Sequence, residues 1–82
     1  MKNIHITMYT KENCPNCMTA KLVLDSVGLK YAEVDVEVGD RLANLLKEYP
    51  DARQMPQIFV NDQRVGGLAG LKVALDKLGV SE

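Results

Sequence analysis

Tryptophan is absent from this 82-residue chain and phenylalanine occurs once, so whatever core it builds has to be mainly aliphatic. Neither sign of charge dominates: ten Lys and Arg face eleven Asp and Glu, a formal net charge of −1. That balance gives no general electrostatic reason to bind nucleic acid or an anionic membrane. No apolar run approaches the roughly 18 residues that a membrane span needs. The start of the chain has one lysine and then an alternating segment, unlike a signal peptide. Histidine occurs once, at His5, so few imidazole ligands are on offer. Cysteine occurs twice, at positions only three apart. Such a pair closes too short a loop to staple a small secreted fold. With no export signal, a cytoplasmic location is expected. Linkers, repeats and low-complexity tracts are missing as well, and residues 1–82 read as a single domain near the lower size limit for one core.

What is present is concentrated in Cys14-Pro15-Asn16-Cys17. The spacing lets two thiols meet, and the segment follows an apolar run and opens one with helical periodicity. Two chemistries use such a pair. It can cycle between dithiol and disulfide, or it can be half of a zinc site, which ordinarily needs four ligands.

The pattern along the chain is clear. Ile4, Ile6 and Met8 alternate with His5, Thr7 and Tyr9, which predicts a first strand. Pro15 suits a first helical turn. Ala20, Val23, Leu24 and Val27 then form one apolar helix face, and Gly28 can close the helix in a left-handed conformation. Tyr31 to Val38 reads as a second strand. Asp40 is a candidate cap for a helix with the face Leu42, Leu45, Leu46 and Tyr49, stopped by Pro50. Gln57 to Val60 is a third strand. Asn61-Asp62-Gln63-Arg64 supplies turn chemistry, and Val65 leads out in a short fourth strand, making a hairpin. Leu68, Leu71, Leu75 and Leu78 mark a last helix ending at Gly79. Met8 and Met18 read as packing residues. The fold class is α/β, in the order β-α-β-α-β-β-α. A right-handed βαβ crossover makes two strands parallel, and the hairpin completes a four-stranded mixed sheet flanked by three helices. Cys14 falls just past the carboxyl end of the first strand, where open α/β sheets place their sites.

Tyr9-Thr10-Lys11, Cys14-Pro15-x-Cys17, Met55-Pro56-Gln57-Ile58-Phe59-Val60 and Gly66-Gly67 together resemble a dithiol glutaredoxin of the thioredoxin fold. The resemblance runs over essentially the whole chain in order and spacing, so the domain reads as glutaredoxin-like. Two positions depart from the family pattern. Asn16 stands where many members have Tyr. Leu68-Ala69-Gly70 stands where a small polar residue and one or two Asp are usual.

The chemistry suits these residues. A thiolate is the nucleophile in disulfide exchange. At a helix N-terminus the unpaired N–H groups and the macrodipole favour the anion. Cys14 is expected there with its sulfur exposed, accepting from the N–H groups of Asn16 and Cys17, with Lys11 adding positive potential. Its pKa should fall below the roughly 8.5 of a free cysteine. Cys17, one turn inside the helix, should be more buried. Cys14 is therefore assigned as the attacking nucleophile and Cys17 as the resolving thiol, the two forming the redox-active disulfide. The resemblance implies that glutathione is the co-substrate, with no tightly bound cofactor and no metal. It implies a cis peptide bond before Pro56, so that the Met55 backbone can pair with substrate like an added strand. Lys11 and Arg53 are candidates for the glycyl carboxylate of glutathione, with Gln54 as a neutral helper. Beyond Gly67, the N–H groups of Leu68 and Ala69 can receive the γ-glutamyl carboxylate. The expected partners are glutathione and disulfide-containing or glutathionylated proteins, ribonucleotide reductase among them by family analogy, with the chain acting as a monomer. Two alternatives stay open: a glutaredoxin-like electron donor reduced by thioredoxin reductase, and an iron–sulfur cluster-binding module.

Overall fold

The computed structural model describes residues 4–80. The elements are β1 (Ile6–Thr10), α1 (Pro15–Ser26), β2 (Ala32–Asp35), α2 (Arg41–Glu48), β3 (Gln57–Val60), β4 (Gln63–Gly66) and α3 (Leu68–Lys77). The sheet order is β2-β1-β3-β4. β1 runs parallel to β2, while β3 is antiparallel to both β1 and β4. This is the thioredoxin-like arrangement expected from the sequence. Among the described residues no helix is long and apolar enough to cross a membrane.

The alternation in β1 divides the interior into two clusters. Ile6 and Met8 face one side and join Ile58 and Val60 of β3, Ala20, Val23 and Leu24 of α1, and Leu71 and Leu75 of α3. On the other side Tyr9 and Phe59 pack with Leu45, Leu46 and Tyr49, against Cys14, Cys17, Val36, Ala52 and Met55. The cysteine pair therefore belongs to the smaller cluster, on the side of the sheet that α2 covers. Both long helices end in full Schellman closures. Gly28 (φ +73°) donates to the Asp25 carbonyl and Leu29 to that of Leu24. Gly79 (φ +76°) and Val80 repeat this on Asp76 and Leu75.

Four expectations need correction. The second strand ends at Asp35, not Val38. The Asp35 carboxylate accepts the Glu37 N–H (2.9 Å) and the Asp35 carbonyl accepts from Val38 (3.3 Å), so the chain turns where valine alternation alone would continue. Asp40 precedes α2 but makes no side-chain cap bond. Gln63 and Arg64 lie in β4 rather than in the turn. The hairpin loop is only Asn61-Asp62, both with positive φ, as a two-residue loop matched to strand twist requires. Met18 is 66% exposed and so is not a core residue.

A three-way contact ties the two ends of the cysteine segment together. Lys21 of α1 pairs with Glu33 Oε2 at 2.7 Å, and the buried Thr10 hydroxyl donates to the same oxygen at 2.8 Å. The hydrogen bond from Lys21, then that from Thr10, holds the Glu33 carboxyl below its ordinary value of 4.5. The bond to Glu33 raises Lys21 above 10.5. A depressed carboxyl pKa contributes stability above the unfolded value, and that contribution is lost as pH falls through the folded one. The raised lysine contributes below its unfolded value and fails only as pH rises through the folded one. Glu33→Gln should therefore lower the urea midpoint at about pH 7, with the deficit closing by about pH 3. A deficit of the same size at both pH values would reject this account.

α3 approaches β4 closely because Gly70 has no side chain: a Cβ there would overlap the Val65 carbonyl oxygen. Gly to Ala inside a helix ordinarily gains about 1 kcal/mol. Here the overlap with backbone should reverse the sign and cost about 1–3 kcal/mol, the range for overpacking. Urea unfolding of Gly70→Ala reads this directly, and a variant more stable than wild type would contradict the packing described.

Candidate active site

The turn into α1 sets the position of the thiols. Asn13 adopts a left-handed conformation (φ +53°), which asparagine tolerates better than most residues. The preceding Glu12 N–H is held by the Glu37 carboxylate at 2.8 Å. Cys14 then becomes the N-cap of α1, with Pro15 in the first turn, where its missing N–H costs nothing. Cys14 and Cys17 are joined by a disulfide, with their Cα atoms 5.2 Å apart. The Cys17 N–H points at Cys14 Sγ, at 3.1 Å. A side-chain acceptor at the N-cap is what the free N–H groups of a first turn lack, and here sulfur fills that role.

Burial of Cys14 differs from expectation. Its sulfur was to be exposed, yet the residue is 6% exposed and Cys17 2%. The cause is the loop before β3, which lays the Met55 carbonyl oxygen 3.5 Å from Cys14 Sγ. In the disulfide this is a packing contact, because the sulfur carries no hydrogen. The thiol of the reduced protein can donate to that oxygen. Of the two backbone donors anticipated, Cys17 supplies one; the Asn16 N–H makes no bond to the sulfur.

Access to Cys14 is through a groove. One section, about 320 Å³, is lined by Lys11, Asn13, Cys14, Pro15, Asn16, Gln54 and Met55. A second, about 420 Å³, is lined by Asn16, Gln54, Met55, Pro56, Gly67, Leu68 and Ala69, among others. Asn16, Gln54 and Met55 wall both, so the two sections adjoin. The Met55–Pro56 peptide is cis. Gly67 is the N-cap of α3, extended in backbone and without a side-chain cap bond, which leaves the first N–H groups of that helix without an internal acceptor. A larger hollow of about 670 Å³ lies between β4 and α3, but Cys14 and Cys17 are not among its walls.

Lys11, Gln54 and Met55 thus line the section that holds Cys14, and Pro56, Gly67, Leu68 and Ala69 line the section beside it. Arg53 is exposed on the same loop and lines neither section. Ala69 is exposed, and the first turn of α3 carries no acidic residue. Among the described residues, no three of His, Cys, Asp or Glu cluster as metal ligands would. Sequence reasoning missed Asn13 and the Glu12–Glu37 tie. An asparagine just before a helix start was the available signal for the first; nothing in the sequence pointed to the second.

A family model described as Glutaredoxin matches residues 6–65. A probable glutaredoxin of Synechocystis sp. is 38% identical over 63 residues, 76% of this chain, and the chain spans 58% of that relative's length. Glutaredoxin 3 of Escherichia coli is 35% identical over 79 residues, covering 96% of this chain and 92% of its own. In three dimensions, glutaredoxin 1 from Francisella tularensis, crystallised with cacodylate, matches with a TM-score of 0.76 at 24% identity, over 93% of this chain and 96% of that one; this speaks to the fold. The matched stretch runs from β1 into β4 and contains both cysteines, and the chain belongs to the glutaredoxin family of thiol–disulfide oxidoreductases.

Proposed function

We propose that this chain is a dithiol glutaredoxin that reduces glutathione mixed disulfides and protein disulfides, and takes its electrons from glutathione. The supporting observation is the pair of adjoining sections, one walled by Lys11 and Cys14, the other by the uncapped start of α3, with Asn16, Gln54 and Met55 common to both. It offers a cation at one end and free N–H groups at the other, with sulfur between them. Glutathione has a carboxylate at each end and its thiol between.

In this reading the Cys14 thiolate attacks one sulfur of the substrate disulfide. A Cys14–substrate disulfide forms and the other substrate sulfur leaves as a thiolate. Cys17, deprotonated, then attacks Cys14 Sγ, releases the bound thiol and closes the Cys14–Cys17 disulfide. Two glutathione molecules restore the dithiol: the first forms a mixed disulfide at Cys14, and the second leaves with it as oxidised glutathione. The N–H of Cys17 helps the first step, because a hydrogen bond to a charged group is worth about 1.5–3 kcal/mol net. Protein disulfides need the resolving thiol, whereas a glutathione mixed disulfide can be resolved by a second glutathione. Partners, ribonucleotide reductase included, and a monomeric state belong to this proposal and rest on the family alone.

A second reading is favoured by one feature, the absence of an acidic group in the first turn of α3. The glutathione ammonium then has no ionic partner there, and an electron donor reduced by thioredoxin reductase fits that loss. Reduction of the oxidised protein by glutathione, set against reduction by NADPH with thioredoxin reductase, separates the two.

Cys14→Ser should abolish turnover of both substrate types. Cys17→Ser should retain removal of glutathione from a mixed disulfide and lose reduction of protein disulfides. Turnover by the Cys14 variant would overturn the assignment of roles. Ala69→Asp should restore a partner for the ammonium and lower KM for a glutathione mixed disulfide by up to about tenfold, less than a buried charged bond would give because the site is solvated. An unchanged KM, with the protein still folded, would remove the γ-glutamyl end from this part of the groove.

A further inference from the structure

The loop between α2 and β3 carries Arg53, Gln54 and Met55 and has no helix or strand of its own to hold it. Ala52 is buried and its N–H donates to the Tyr49 carbonyl at 2.9 Å, and Met55 is buried in the cluster around the cysteines. Further fixed points come from Arg64 of β4. The Arg64 guanidinium donates through Nη1 and Nη2 to the two carboxylate oxygens of Asp51, at 2.9 and 3.2 Å, and through Nε to Gln57 Oε1 at 3.1 Å. The other end of the Gln57 amide donates from Nε2 to the Gln54 carbonyl at 2.7 Å. Gln57 is 6% exposed, so its amide depends on protein partners. One orientation satisfies both neighbours. Reversed, it would set an NH2 against the guanidinium and an oxygen against the Gln54 carbonyl. Arg64 therefore orients Gln57, and Gln57 grips Gln54. The Tyr49 ring backs the guanidinium, 5.2 Å from its centroid.

We propose that Arg64 is a positioning residue for loop 51–57: through Asp51 and the Gln57 amide it fixes Gln54 and Met55 at the wall of the groove beside Cys14, without touching substrate. The clamp stands on its own geometry, and only its kinetic consequence rests on the glutathione reading. Its two branches differ in weight. Asp51 is 78% exposed at the side chain, and exposed ion pairs contribute little. The branch through the buried Gln57 runs over two partly buried hydrogen bonds and reaches Gln54 in the groove wall. Lysine cannot substitute for Arg64, because one ammonium does not reproduce a planar fork that holds a carboxylate and an amide together.

Three variants separate the branches. Gln57→Glu keeps an acceptor for Arg64 and loses the donor to Gln54. Arg64→Met loses both branches, and Asp51→Asn weakens the exposed one. The substrates are a peptide carrying a cysteinyl–glutathione mixed disulfide, and hydroxyethyl disulfide with dithiothreitol as reductant, which requires only exchange at Cys14. Arg64→Met should raise KM for the glutathionylated peptide by about 5–10-fold, with kcat within about twofold, the scale set by losing one partly buried hydrogen bond. Gln57→Glu should raise it at least as much, because Gln57 also lines the second section and the new carboxylate repels the ligand's own. Turnover of hydroxyethyl disulfide should stay unchanged, and Asp51→Asn should stay close to wild type on both substrates. In amide NMR spectra the resonances of residues 53–55 should shift or broaden in the first two variants while those of α1 do not. Unmoved loop amides, or an equal fall on both substrates, would overturn the clamp. If wild type itself shows no preference for the glutathionylated peptide, the glutathione reading fails and the amide spectra alone decide on the clamp.

Discussion

One sulfur atom stands between a donor and an acceptor, and much of this small fold serves to keep it there. Cys14 Sγ lies 3.1 Å from the Cys17 N–H and 3.5 Å from the Met55 carbonyl oxygen. In the reduced protein the two neighbours favour opposite protonation states. The N–H stabilises a thiolate, and the carbonyl can be satisfied only by a thiol. Of the two contacts the N–H is the stronger. A hydrogen bond to a charged acceptor is worth about 1.5–3 kcal/mol, and the helix N-terminus adds roughly 0.3–1 kcal/mol. Against them stands a long contact from S–H, a weak donor. The carbonyl does other work: it packs over Cys14 and restricts the directions from which a second sulfur can arrive.

That seat depends on three attachments from outside the motif. Asn13 turns the chain so that Cys14 caps α1 rather than extending β1. Glu33 holds Thr10 and Lys21, residues on either side of the cysteine segment, through one carboxylate oxygen. Gly70 lets α3 lie close enough to β4 that the start of α3 shares a groove wall with Met55 and Pro56. None of the three carries reactive chemistry. Each fixes one wall of the space around the sulfur.

Much of this was legible in the sequence, for physical reasons. Period-two alternation in β1 and the apolar stripe on α1 follow from which faces must be buried, and Gly28 and Gly79 follow from the left-handed residue that a helix end requires. The juxtaposition of Cys14, Met55-Pro56 and Gly67 was readable only through family resemblance, since no local rule brings residues about forty apart together. What escaped depends on register and side-chain geometry. Arg64 looked like a turn residue because Asn61-Asp62-Gln63-Arg64 is polar throughout. The two-residue loop instead places it in a strand, paired with Phe59, where its side chain reaches Asp51 and Gln57. The exposure of Cys14 was misjudged for a similar reason: a helix N-terminus says where the sulfur sits, not which loop lies over it.

Charge along the groove sits at its two ends. Lys11 stands at one end and uncapped helical N–H groups at the other, with no carboxylate among the lining residues. Such a groove is positive at its two ends and neutral between them. In the proposed function it would attract a ligand with a carboxylate at each terminus, but it would not test for the ammonium beside one of them. Attraction without a repulsive or unpaired element is weak discrimination. Selectivity in the proposed reaction then has to come from shape around the sulfur, from the Met55 backbone and the turn at Pro56. The stiffness of loop 51–57 would matter more in this chain than in a groove that reads its ligand by paired charges at both ends.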